Sequence, residues 1–197
     1  FGDGATHQCV EDLAVFRAVP NMTVICPADA NETVEAVKAM AAMDGPCYLR
    51  LNRNDYPNVT KEGARFEIGV PRILKHGTDV ALFAAGYMTG VALEAAKELE
   101  GSISVRVINV STIKPMNKEV MRKMAEGCRA VVTAEEHNVA GGLGSAVAEA
   151  LCEDPLPLKM VGIKDTFGCS GHNYQEVLAY HGLTKEAVAE AVREMAG

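Results

Sequence analysis

An aspartate, a threonine and a histidine fall within five positions of one another in the stretch GDGATHQ (2–8), spaced by glycine and alanine. Asp3 offers a carboxylate that accepts hydrogen bonds from hydroxyl groups. His7 offers an imidazole that donates, accepts or moves a proton near neutral pH. The glycines let backbone approach a ligand closely. Such a set suits a polyhydroxylated substrate; the same residues also fit a turn whose Asp3 and Thr6 cap a helix starting near Val10. A second candidate is Arg53, in RLNRND (50–55), just past a predicted strand. Its planar fork grips a phosphate or carboxylate at two points, and ligands of open α/β sheets collect at the carboxyl ends of strands. The alternative is a surface arginine. Arg50, three residues earlier, points to the other face of that strand.

Two further stretches carry reactive residue types. EEHNVAGGLGSAVAEAL (135–151) reads as strand, glycines, helix, the layout of a phosphate cradle at a helix N-terminus. It lacks the third glycine of G-x-G-x-x-G, so the cradle signal is weak and tight helix–strand packing is the favoured reading. Glu135, Glu136 and His137 fit catalytic groups or a subunit contact. FGCSGH (167–172) bears Cys169 and Ser170 but is not G-x-S-x-G, and it reads as a plain loop.

These residues need elements to hold them. MTVICPAD (22–29) is a β-branched run closed by Pro27, a predicted buried strand. Asp29 and Glu32 form a D-x-x-E capping box, so a helix begins there, with Val34, Val37 and Ala41 at helical spacing. CYLRLNR (47–53) is the next strand, completing a parallel strand–helix–strand unit. Residues 54–78 carry three glycines and two prolines and read as a linker with a short extended stretch near 66–74. From 79 the pattern is regular. DVALFAAG, SVRVINV, RAVVTAEEH and LKMVGI are strands. Between and after them come helices that bury Ala92, Ala95, Ala96 and Leu99; Val120, Met121 and Met124; Leu143, Ala146, Val147, Ala150 and Leu151; and Val188, Ala191, Val192 and Met195. Strands alternating with helices predict an open α/β sheet covered on both faces.

The expected organisation is therefore residues 1–60 as the C-terminal part of an α/β domain, 61–78 as linker, and 79–197 as a complete α/β domain. The chain has 197 residues, 48% apolar and 23% charged, which fits a folded core. A net charge of −7 argues against nucleic-acid binding, whose cations must offset phosphates. It leaves room for a small anionic substrate, because one local arginine overrides the global sign. No apolar run reaches membrane-spanning length, and the opening residues are polar and glycine-rich, unlike a secretory leader. The six cysteines have no C-x-x-C spacing and read as reduced thiols of a cytoplasmic protein, with no metal site. Phe1 opens in what reads as mid-motif, so more polypeptide is expected upstream.

GDGATHQCVEDLAVFRAVPNMTVICPADANE resembles the second half of the pyrimidine-binding domain of transketolases. EEHNVAGGLGSAVAEAL and DTFGCSG resemble the transketolase C-terminal domain. The likeness covers nearly the whole chain and is greatest to the C-terminal section of split transketolases, in which two polypeptides share one enzyme. It implies thiamine diphosphate and a divalent metal such as Mg in the complete enzyme, with neither bound by this chain alone. It implies transfer of a two-carbon ketol unit from a ketose phosphate to an aldose phosphate, the thiazolium ring carrying the electron-sink chemistry. Asp3 and His7 match family residues at the substrate hydroxyls, His7 also as a catalytic group; Arg53 matches the residue that binds the terminal phosphate. The family's GED reads FGD here, with Gly2 in place of glutamate. The glutamate that activates the aminopyrimidine ring would lie upstream, as would the diphosphate domain, on a missing N-terminal section or a companion chain. The resemblance thus implies a homodimer, inactive as this fragment. Related alternatives are 1-deoxyxylulose-5-phosphate synthase and the β-type subunits of 2-oxoacid dehydrogenases, which share the fold. A non-catalytic dimerisation or assembly module is the alternative of another class.

Overall fold

The capping box at Asp29 shows how local chemistry starts the fold. Asp29 Oδ1 accepts the Glu32 amide at 2.9 Å and opens a helix, α2 (Ala30–Ala41). Glu32 turns back to the Ala28 amide at 2.7 Å, one residue earlier than the usual box. A computed structural model describes residues 4–197, so Asp3 lies outside the described residues. Around α2 stand α1 (Asp12–Ala18), β1 (Thr23–Ile25) and β2 (Cys47–Leu49). β1 and β2 pair in parallel, the expected strand–helix–strand unit. Val34 and Val37 are about half exposed while Ala36 is buried, so the larger apolar residues of α2 lie on its outer face.

The regular pattern from 79 folds around a second sheet. Its members are β3 (Arg72–Lys75), β4 (Val80–Ala84), β5 (Val105–Asn109), β7 (Ala130–Asn138) and β8 (Leu158–Ile163). They stand in the order β3-β5-β4-β7-β8, and only β3 runs antiparallel. Helices α3 (Met88–Glu98) and α7 (Lys185–Ala196) cover one face, packing Ala92, Ala95, Val188 and Val192. α4 (Lys118–Ala125) and α5 (Leu143–Leu151) cover the other with Met121, Leu143 and Val147. Central β4 is buried throughout, as a strand between two helical layers must be.

Three elements go beyond the sequence pattern. β3 grows from the extended stretch near 66–74 and forms the edge of the larger sheet. β6 (Thr112–Lys114) leaves the second half to pair antiparallel with β1, so the first sheet, β2-β1-β6, draws on both halves. α6 (Tyr174–Tyr180) is a seven-residue helix capped by Asn173. The halves are also tied by buried hydrogen bonds. Glu32 accepts from Asn109 Nδ2 on β5 at 2.9 and 3.0 Å; within the first half, Asp29 Oδ2 accepts the Val59 and Thr60 amides at 2.7 and 2.6 Å.

Candidate active site

A cleft of about 480 Å3 opens between the loop before α1, the segment after β2, the end of β7 and α6. Both His7 and Arg53 line it, although 46 positions separate them. Both are exposed there. His7 sits in a turn closed by its own amide on the Gly4 carbonyl at 3.1 Å. Gly4 has φ +72°, which only glycine adopts without strain. The Thr6 hydroxyl lies 2.9 Å from His7 Nδ1. α1 takes no side-chain cap from its own Glu11; its Leu13 amide is met from β7 instead.

The loop carrying His7 is locked against FGCSGH. Gln8 Nε2 donates to the Cys169 carbonyl at 2.9 Å. A Cβ on Gly168 would collide with the Gln8 side chain, and one on Gly4 would lie 2.6 Å from Ser170 Oγ. The plain loop of the sequence is therefore a prop for the candidate substrate loop.

The cleft floor is an ion network that no local signal announces. Asp12, at the start of α1, is buried and accepts from Tyr48 Oη at 2.7 Å and from Arg50 Nε at 3.1 Å. Arg50 also donates to the Cys9 carbonyl at 3.1 Å and approaches Glu136 at 3.7 Å. The phenol of Tyr48, stacked on Phe16 with centroids 3.8 Å apart, is pushed up by burial and by its bond to Asp12. Arg50 thus spends its charge internally; Arg53 lines the cleft as an exposed residue.

On β7 the three candidate groups part company, because successive strand residues face opposite sides. Glu136 lines the cleft, accepting from Asn52 Nδ2 at 2.8 Å and Tyr174 Oη at 2.6 Å. Glu135 and His137 point inward and are fully buried within this chain, which rules out a role for them in a subunit contact. Glu135 accepts the Leu143 and Gly144 amides at 2.6 and 2.8 Å and so fills the N-terminus of α5. Burial pushes its carboxyl up to about 7, against the pull of those two amides. His137 Nδ1 donates to the Asn138 carbonyl at 2.7 Å, and Nε2 accepts the Leu13 amide at 3.1 Å. That is a neutral tautomer, and burial holds its pKa below the usual histidine range.

The GGLG stretch is accordingly packing, not a cradle. A Cβ on Gly142 would strike Glu135, and one on Gly144 would lie 2.7 Å from Met160 Sδ. With Glu135 seated on the helix start, no phosphate fits there. Among the described residues no group of three or more His, Cys, Asp or Glu is arranged to hold a metal ion. Also among the described residues, no helix is long and apolar enough to cross a membrane.

Two family models match the chain: the transketolase pyrimidine-binding domain over residues 2–59 and the transketolase C-terminal domain over 69–188. A solved split-gene transketolase, described as an inactive β4 tetramer, superposes with a TM-score of 0.91 at 46% identity, covering 98% of this chain and 62% of that one. A 6-deoxy-6-sulfo-D-fructose transketolase subunit of a Clostridium species is 40% identical over 98% of this chain and 60% of its own length. An apulose-4-phosphate transketolase subunit of Phocaeicola vulgatus is 37% identical over 97% of this chain and 62% of its own. The chain thus spans about three-fifths of the length of these relatives.

Proposed function

The chain belongs to the transketolase family, and from that premise we propose that it is the C-terminal section of a two-part transketolase moving a two-carbon ketol unit between sugar phosphates. Transketolases depend on thiamine diphosphate. We assign the diphosphate and a divalent metal to a companion section, and only the sugar-binding side to this chain, which alone is inactive. Two copies of this chain complete the cytoplasmic assembly.

The observation carrying this reading is the meeting of His7 and Arg53 at one cleft. Cleaving the carbon–carbon bond of a ketose requires a proton to leave a neighbouring hydroxyl. His7 takes or holds that proton: Thr6 engages Nδ1, which leaves Nε2 to the sugar. Asp3, four positions earlier, holds a second hydroxyl. Arg53 grips the terminal oxyanion and so orients the sugar. Two relatives fit that role, since the substrates in their names end in a sulfonate and a phosphate.

Reconstitution with the companion section tests the proposal. Ketol transfer from xylulose 5-phosphate is expected, with no condensation product from pyruvate. Arg53→Ala removes a charge-assisted hydrogen bond worth about 1.5–3 kcal/mol, so KM for phosphorylated sugars rises roughly 10- to 150-fold. Turnover by the isolated chain would refute the division of labour, and an unchanged KM would remove Arg53 from the site.

A further inference from the structure

Arg53 stands at the centre of a small closed turn. Asn52 Oδ1 accepts the Asn54 amide at 2.8 Å and the Asn54 side-chain amide at 3.2 Å. The other end of Asn52 reaches across to the second half of the chain. Its Nδ2 donates to Glu136 Oε2 at 2.8 Å and lies 2.5 Å from Tyr174 Oη, which itself donates to Glu136 Oε1 at 2.6 Å. Three side chains from the segment after β2, from β7 and from α6 thus close a triangle. We propose that Glu136 and Tyr174 are positioning residues for the anion-gripping end of the site, acting through Asn52 on the turn that carries Arg53.

The far flank of the turn is held as well. The Tyr174 ring meets the edge of Tyr87 at 5.3 Å, and Tyr87 meets Tyr56 at 5.4 Å. Tyr56 lies three residues beyond Arg53. The strap 52–56 is therefore fastened at Asn52 by hydrogen bonds and at Tyr56 by an aromatic ladder, with Tyr174 common to both. Burial and the Glu136 carboxylate push the Tyr174 phenol up, keeping it a proton donor. A turn fixed at both flanks gives an arginine of many rotamers a constant base, which lowers the ordering cost of binding.

This inference rests on reading Arg53 as the anion-binding residue, so the experiment separates the two. In the reconstituted enzyme, KM is measured for ribose 5-phosphate and for glycolaldehyde, an acceptor with no phosphate. Tyr174→Phe deletes both hydroxyl contacts while keeping the ladder ring. KM for ribose 5-phosphate is expected to rise about 5- to 20-fold, as for one or two lost hydrogen bonds. KM for glycolaldehyde and kcat should stay unchanged. Asn52→Asp, which keeps the acceptor for Asn54 but sets a carboxylate against Glu136, should act in the same direction. Equal losses on both acceptors, or no loss on either, overturn the positioning role if Arg53→Ala impairs only the phosphorylated one. If Arg53→Ala shows no phosphate-selective effect, the reading of Arg53 falls and this inference with it.

Discussion

Glu135 and His137 lie back to back on β7, with Glu135 Oε2 3.7 Å from His137 Nδ1, and they pull stability in opposite directions as pH changes. The Glu135 carboxyl rises from 4.5 to about 7 on folding, burial outweighing its two amide donors. Folded protein then binds more protons than unfolded protein between those values. Its contribution is complete below pH 4.5 and is lost as pH climbs through 7. A displacement of about 2.5 pH units corresponds to about 3 kcal/mol. His137 has the other sign. Its pKa falls below 6.5 on folding, again chiefly through burial, so its contribution is present above 6.5 and is lost as pH drops. Between pH 4.5 and 6.5 the two slopes oppose each other.

Single variants should expose what the parent conceals. Urea unfolding of the chain, followed by far-ultraviolet ellipticity, would be run across pH 4.5–7.5 for parent, Glu135→Gln and His137→Gln. Subtracting each variant from the parent cancels the titrating groups that do not touch the substituted residue. The Glu135→Gln difference is expected to move by about 3 kcal/mol between pH 4.5 and 7, the parent losing ground as pH rises. The His137→Gln difference is expected to move the other way, the parent losing ground below 6.5. Differences that stay level across the range would show that neither group changes proton affinity on folding, and the account of both buried groups would be wrong.

Arg50→Met keeps the buried stem but leaves Asp12, 4% exposed, with only the Tyr48 hydroxyl among its two strong partners. Breaking such a pair costs about 3–5 kcal/mol, readable as a lower urea midpoint, and the double variant Arg50→Met, Asp12→Leu should lose less than Arg50→Met alone. Gly168→Ala drives a methyl into the Gln8 side chain. The His7 amide, bonded to Gly4 at 3.1 Å, should then exchange faster with deuterium while the β4 amides keep their protection. His7→Ala in the reconstituted enzyme should lower kcat by about 100-fold or more; an effect confined to KM would make His7 a binding residue only.

Much of the larger sheet was legible because its signals are local. Strands β4, β5 and β8 are largely apolar runs and β7 opens on one, and Asp29 announces the start of α2 through a neighbour three residues away. β3 and β6 are short and owe their place in a sheet to distant partners, Asn109 opposite Arg72 and Ile25 opposite Thr112. No local window of sequence contains either pair. α6 buries only Leu178, too little to make a periodic stripe.

The candidate site divides along the same line. His7 and Arg53 stand out by residue type beside glycines and a strand end, and the fold sets both at one cleft. What holds them does not stand out: Asp12 and Arg50 are 38 positions apart, Asn52 and Tyr174 are 122 apart, and Gln8 and Cys169 are 161 apart. The strand period does contain one clue. In EEH, alternation requires the middle residue to face away from its neighbours, so a reader who buries Glu135 beneath GGLG must turn Glu136 outward. Which face opens to the cleft depends on α6 and the strap 52–56 closing over it. The groups proposed to contact a sugar are thus written in short motifs, whereas their placement is a property of the two halves folded together.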